Sequence, residues 1–265
     1  MNRVIVLILT GFTVHAQTLQ VGVVSAAEME KALRSAPRKN QVRQQAIASM
    51  FRDSGCEPES RPLKRSKFSN VVCTQPGPDA NVIVVGGHFD HANVGDGVID
   101  NWSGATMVVH LMRSLRSQPR RHTFVFVAFA REEDGLLGSR DYVGRLTTPE
   151  VARIQAMVNM DSLGLGPPVV WRSRANGPLF DASQVVAGAV HMQLNAVNVD
   201  QVGETDSAPF KEKKIAVIDF HSIHNDTFHI LHPRDDNFSA VQMDGYQDSF
   251  KLIANFLVYI DLKLP

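Results

Sequence analysis

Two short apolar runs, Val82–Val85 and Thr123–Ala130, stop abruptly in polar residues. The first ends in Gly86-Gly-His-Phe-Asp90 and the second in Arg131-Glu-Glu-Asp-Gly135. Unbroken runs rich in Val and Phe and bounded by breakers predict strands buried on both faces. Between them Ser103–Leu115 is helix-length and apolar over one broad face. A third run, Ile154–Met160, ends on Asp161, and a fourth, Lys214–Phe220, leads into a histidine-rich loop from His221 to His232. A further short strand is expected at Val169–Trp171. Ser25 and Glu28 form a capping-box pair that opens a helix toward Arg34. Pro37 breaks it, and helical spacing resumes over Asn40–Phe51. Further helices are expected at Leu136–Arg145, in a short piece starting at Thr148, at Phe180–Met192 and at Gln242–Leu257. Cys56–Cys73 is polar and punctuated, with strand-like Asn70–Cys73, which predicts a hairpin. Strands alternating with helices give one α/β domain, a three-layer α/β/α sandwich around a mixed, mostly parallel sheet.

The N-terminus breaks this pattern. Arg3 precedes an apolar stretch, Val4–Val14, too short to span a bilayer, and Val14-His15-Ala16 offers small residues for cleavage. Residues 1–16 are therefore expected to be a signal peptide and 17–265 the folded domain, secreted or periplasmic. No other segment is long and apolar enough to anchor the mature chain in a membrane. In an oxidising compartment the two cysteines, Cys56 and Cys73, are expected to pair, two free buried thiols being the alternative. Of 265 residues 44% are hydrophobic and 20% charged, with a formal net charge of zero, so no basic field exists to attract nucleic acid.

The candidate chemistry is a coincidence of position. His88, Glu132-Glu133 and Asp161 end three strands, and Asp100 and a late histidine join them. All fall at the carboxyl edge of the expected sheet, where open α/β sheets bind ligands. Carboxylates gathered there would repel one another unless a cation held them, and carboxylate–imidazole sets suit zinc. The expectation is a metal-dependent hydrolase.

Gly-Gly-His88-Phe-Asp90, Asp100-Asn-Trp-Ser-Gly, Glu132-Glu133-Asp-Gly-Leu-Leu-Gly-Ser139, Val-Asn-Met-Asp161, Asp206-Ser-Ala-Pro-Phe210 and His232-Pro-Arg-Asp-Asp236 follow in an order that resembles metallopeptidase family 28. Within it the chain is similar to the two-zinc aminopeptidases of the bacterial leucyl aminopeptidase type, of zinc exopeptidase fold. The resemblance implies one zinc on His88 and Asp161, a second on Glu133 and His232, and Asp100 bridging them. It implies Glu132 as general acid/base and Asp90 as the carboxylate that orients His88. The substrates would be peptides with a free N-terminus, hydrolysed through a metal-bridged hydroxide. It also implies that the Asp100–Asn101 peptide is cis.

His221, His224 and His229 compete with His232 for the last position. His232 is favoured by Asp236 and Asn237 following at the family's spacing, with His229 next. Two departures stand out: Ser207 follows Asp206 where many relatives have histidine, and Trp102 replaces a small residue and would narrow the pocket. The nearest rival is a glutaminyl cyclase on the same fold, disfavoured by Ala130-Arg131 before Glu132 and by Leu231 before His232. A second rival is a catalytically silent binding homologue, disfavoured because every ligand position is filled.

Overall fold

The computed structural model describes residues 22–92, 94–200, 203–224, 227–230 and 234–265. The expected signal peptide and His232 lie outside them. Eight strands form one sheet: β1 (Glu59–Pro62), β2 (Ser69–Gln75), β3 (Val82–His88), β4 (Thr123–Phe129), β5 (Ile154–Met160), β6 (Val169–Val170), β7 (Asn195–Ala196) and β8 (Val217–His221), in the order β1-β2-β4-β3-β5-β8-β6-β7. The central four, β4, β3, β5 and β8, are parallel. The hairpin β1–β2 adds antiparallel to β4, and β6 adds antiparallel to β8. The sheet is mixed as expected.

The unbroken apolar runs are explained by helices on both faces. Alternate residues of each central strand point to opposite sides. Ile83, Val85, Phe124 and Phe126 pack with α1 (Ala26–Arg34), α2 (Asn40–Asp53), α3 (Gly104–Leu115), α6 (Gly177–Ala189) and α8 (Met243–Lys263). Val84, Val125, Val127 and Phe129 pack on the other side with α4 (Leu137–Gly144), residues near α5 (Thr148–Arg153), and α7 (Ala208–Glu212). The Ser25 hydroxyl accepts the Glu28 N–H at 3.3 Å and the Glu28 carboxylate accepts the Ser25 N–H at 3.1 Å, so α1 begins where its capping box puts it.

Several boundaries differ from the sequence reading. α6 starts three residues early because Asn176 caps the Leu179 N–H and Pro178 suits a first helical turn. The strand expected from Lys214 begins only at Val217. The preceding residues close α7, with Lys214 in the left-handed region (φ 64°) and the Ile215 N–H on the Phe210 carbonyl. α8 runs six residues past Leu257, since its buried face continues to Asp261. Trp102 does not narrow the pocket. It is fully buried in the main core, and its Nε1–H donates to the Ala32 carbonyl at 2.9 Å.

Cys56 and Cys73 form a disulfide that ties the chain after α2 to β2. Closing a loop of this size contributes about 2–4 kcal/mol. The double substitution Cys56→Ala/Cys73→Ala is therefore expected to lower unfolding free energy by about that amount in a urea titration, and an unchanged midpoint would contradict it.

Candidate metal centre

Three strand ends carry the acidic and imidazole side chains to one place. β3 ends on His88, which is 1% exposed. β4 gives way to Arg131, whose left-handed backbone (φ 60°) turns Glu132 and Glu133 back over the sheet edge. β5 ends before Asp161, and Ser162 after it is again left-handed (φ 57°). Non-glycine residues in this conformation cost on the order of 1 kcal/mol each and cluster where function demands a direction.

Asp100 arrives by a different route. It lies in a kinked turn, Val98–Ser103, that runs into α3, and the Asp100–Asn101 peptide is cis. Asn101 locks this turn to the end of β5. Its Nδ2 donates to the Met160 carbonyl at 3.0 Å, while its Oδ1 accepts the Gly104 N–H at 2.8 Å and the Ser162 N–H at 3.1 Å. A Cβ at Gly104 would lie 2.4 Å from both Asn101 Oδ1 and the Met160 carbonyl, so only glycine allows this approach.

His88 Nε2 lies 3.3 Å from Asp100, 3.7 Å from Asp161 and 4.0 Å from Glu132. Candidate ligand atoms fall into two overlapping groups, His88–Asp100–Glu133 and His88–Glu132–Asp161, the atoms of each within 4.8 Å of one another. The structure thus brings together His88, Asp100, Glu132, Glu133 and Asp161.

Asp90 differs from expectation in how it acts. Its carboxylate is 3.9 Å from His88 Nδ1, beyond hydrogen-bond reach, and its backbone carbonyl takes that position at 3.1 Å. The carboxylate accepts instead the N–H groups of Glu132 (3.1 Å) and Glu133 (3.3 Å). Asp90 therefore holds His88 through its main chain and the glutamate pair through its side chain. The Ala92 N–H fixes Glu133 Oε1 at 2.9 Å.

Among the rival histidines, His221 is excluded as a ligand by its own hydrogen bonds. Its Nδ1 accepts the Ile223 N–H at 3.1 Å, which leaves Nε2–H to donate to the Val197 carbonyl at 3.2 Å. Burial pushes it down to about 4, so the ring is neutral. His224 packs its Nε2 near the Pro167 carbonyl at 3.4 Å, and His229 is exposed.

Burial pushes the carboxyls of Glu132 and Glu133 above their ordinary values, with neighbouring carboxylates adding to it. Burial alone would lower His88, yet Glu132, Asp100 and Asp161 outweigh it and hold the ring well above its usual value. Burial likewise raises Asp206, which is 1% exposed. Among the described residues no Lys or Arg lines the pocket over this cluster. Hard oxygen donors and one buried imidazole, in a pocket lined by no Lys or Arg among the described residues, fit a divalent cation of zinc type.

Sequence reasoning missed Asp219 on β8, which lines the same pocket. It accepts from Thr205 (2.7 Å), Ser207 (2.8 Å) and Asn159 (3.1 Å). The signal was present: one carboxylate inside an otherwise apolar strand. Ser207, which stands where many relatives have histidine, spends its hydroxyl on this carboxylate.

Fold and cluster define the class: an α/β protein with a candidate carboxylate–imidazole metal centre at the carboxyl ends of its parallel strands. The chain belongs to peptidase family M28, whose model matches residues 70–257. Aminopeptidase YwaD of Bacillus subtilis is 28% identical over 146 residues, 53% of this chain and 32% of that protein. The chain thus matches about a third of that relative's length. The structure of BSAP, a zinc aminopeptidase from Bacillus subtilis, superposes with a TM-score of 0.65 at 22% identity, over 74% of this chain and 50% of that one. An Acidobacteriales bacterium glutaminyl cyclase superposes at 0.71 and 17% identity, over 90% of this chain and 94% of that one. At these identities both structural matches speak to the fold.

Proposed function

We propose that the chain is a zinc-dependent aminopeptidase that removes N-terminal residues from peptides. The observation that carries this reading is the convergence of His88, Asp100, Glu133 and Asp161 with Glu132 in one pocket free of Lys and Arg. His88 and Asp161 would hold one zinc ion, Glu133 and His232 the other, and Asp100 would bridge them. Bound there, the two ions would lower the pKa of a water and polarise the scissile carbonyl.

The chain's own residues do the remainder. Glu132, its backbone pinned by Asp90, takes a proton from the attacking water and returns it to the leaving amine. Asp90 keeps Glu132 and Glu133 in register, and Asn101 keeps Asp100 against Asp161. Trp171, Val199, Phe220 and Ile223 line the same pocket and give an apolar wall suited to an apolar first side chain. The leader at residues 1–16 and the disulfide suit a protein acting outside the cytoplasm. Among the described residues no helix is long and apolar enough to cross a membrane.

The test is one peptide with an apolar first residue, offered free and N-acetylated, with products identified by mass. Acetylation removes the amine's charge and adds bulk, and any acidic group that pairs with the amine is left unsatisfied at about 1–3 kcal/mol, so the blocked form should react at least about tenfold slower. Equal cleavage of both forms would reject the aminopeptidase reading. The cyclase-like fold match makes a peptide beginning with glutamine a second substrate worth offering. Its cyclisation without release of an amino acid would favour the rival activity.

A further inference from the structure

We propose that Arg43, on α2, is a positioning residue for the candidate metal ligands, its buried guanidinium fixing the backbone at Phe89, beside His88, and at Asp96 and Gly97, before Asp100. The proposal rests on reading the cluster as a metal centre. It goes further in assigning part of that centre to a segment that precedes the family-matched residues 70–257.

Arg43 is 0% exposed. Buried arginines are rare and normally pair with a carboxylate. The carboxylates of Asp236, Asp90, Asp100 and Asp96 all act on this guanidinium through space. Its donors go instead to main-chain carbonyls: Nε to Pro37 at 2.7 Å, Nη1 to Phe89 at 3.1 Å, and Nη2 to Gly97 at 3.0 Å and to Asp96. Phe89 sits between His88 and Asp90, and Asp96 and Gly97 stand a few residues before Asp100. One cation thus ties together the two ends of the loop that carries the ligands.

The same loop is held from its other side by an anion. Asp236 accepts the Ile99 N–H at 2.6 Å and the Asp100 N–H at 3.1 Å, and its carbonyl accepts the Asp96 N–H at 2.8 Å. The carbonyls of Asp96 and Gly97 thus meet the guanidinium and the next amides, of Ile99 and Asp100, meet the carboxylate. Helix α2 adds a second hold. Asn40 Nδ2 donates to the His91 carbonyl at 3.3 Å, and its Oδ1 accepts the His91 N–H at 3.2 Å. The packing leaves no slack, since a Cβ on Gly97 would meet His91 Cβ at 2.3 Å and Arg43 Nη2 at 3.0 Å. Arginine suits the task because its planar fork presents five donors in fixed directions, whereas a lysine ammonium has three and no plane.

Groups that orient ligands from behind typically change metal affinity about 10- to 100-fold when removed. The experiment compares Arg43→Gln, Arg43→Lys and Ile47→Ala, the last a buried apolar side chain one turn along the same helix. Zinc affinity and stoichiometry are measured by competition with a chromophoric chelator, and Tm on the metal-free protein. Arg43→Gln should weaken zinc binding at least about tenfold and Arg43→Lys by less. Ile47→Ala should lower Tm with zinc affinity unchanged. Wild-type affinity in Arg43→Gln, or an equal loss in Ile47→Ala, would overturn the proposal while leaving the metal centre standing. A wild-type protein that binds no zinc would overturn the metal centre and this inference with it. Should Arg43→Gln fail to fold, Arg43→Lys decides alone, and unchanged affinity there counts against the assignment.

Discussion

Glu132→Gln should lower kcat by about 10²- to 10⁴-fold and leave the zinc content of the protein unchanged. Glutamine keeps the size and one carbonyl oxygen of the side chain, and removes only the capacity to take and return a proton. Glu133→Ala should behave differently. Its carboxylate belongs to the group with His88 and Asp100 and is fixed by the Ala92 N–H, so its loss should reduce the zinc bound per chain. The contrast matters because the geometry alone allows Glu132 a place beside His88 and Asp161. Metal analysis of both variants, with steady-state kinetics, separates the roles. Equal zinc loss in the two would show Glu132 to be a ligand rather than a proton shuttle.

Zinc should also stabilise the fold strongly, and more at alkaline than at acidic pH. At about a thousandfold over Kd, a ligand bound only by the folded state contributes about 4 kcal/mol. For a chain of this size that corresponds to a Tm rise of about 8–16 °C. The pH dependence follows from the direction of the shifts. Burial raises the carboxyls of Glu132 and Glu133, and it raises Asp236 to about 6. A carboxyl with a raised folded-state pKa contributes its stability below the unfolded value and loses it as pH climbs through the folded value. The metal-free protein should therefore weaken as pH climbs from about 4, through about 6 for Asp236, about 7 for Glu133 and about 10 for Glu132, as these groups ionise beside one another. Zinc binds the deprotonated ligands, so its affinity gains over the same range. Thermal melts with and without zinc at pH 5.5 and 8 should give the larger increment at pH 8. An increment that shrinks toward pH 8 would contradict the assigned cluster.

The candidate site was legible in the sequence to the extent that its residues end strands. His88, Glu132, Glu133 and Asp161 each follow an apolar run, and a buried parallel strand can stop only where polar groups reach solvent or a ligand. Asp219 was legible only as a lone carboxylate inside an apolar strand; that Thr205, Ser207 and Asn159, from two separate segments, converge on it was not. The part played by Asp90 was half legible. The sequence placed it beside His88, but whether its carbonyl or its carboxylate reaches the ring depends on backbone direction at the strand end.

What the sequence determined by itself is therefore local or periodic. The unbroken apolar runs define the central strands, the Ser25–Glu28 box defines where α1 begins, and the carboxylate and imidazole types at the strand ends point to a cation. Tertiary structure decided what depends on distant approach. Trp102 stands two residues after Asp100 yet points into the core, because α1 offers its indole N–H the Ala32 carbonyl. Arg43 lies 45 residues before His88, on the helix face it shares with Ile47 and Phe51, and nothing in that pattern says what it meets there. Only folding turns it inward, where the carbonyls of Phe89, Asp96 and Gly97 converge on one point and a charged fork is the group that can meet them all.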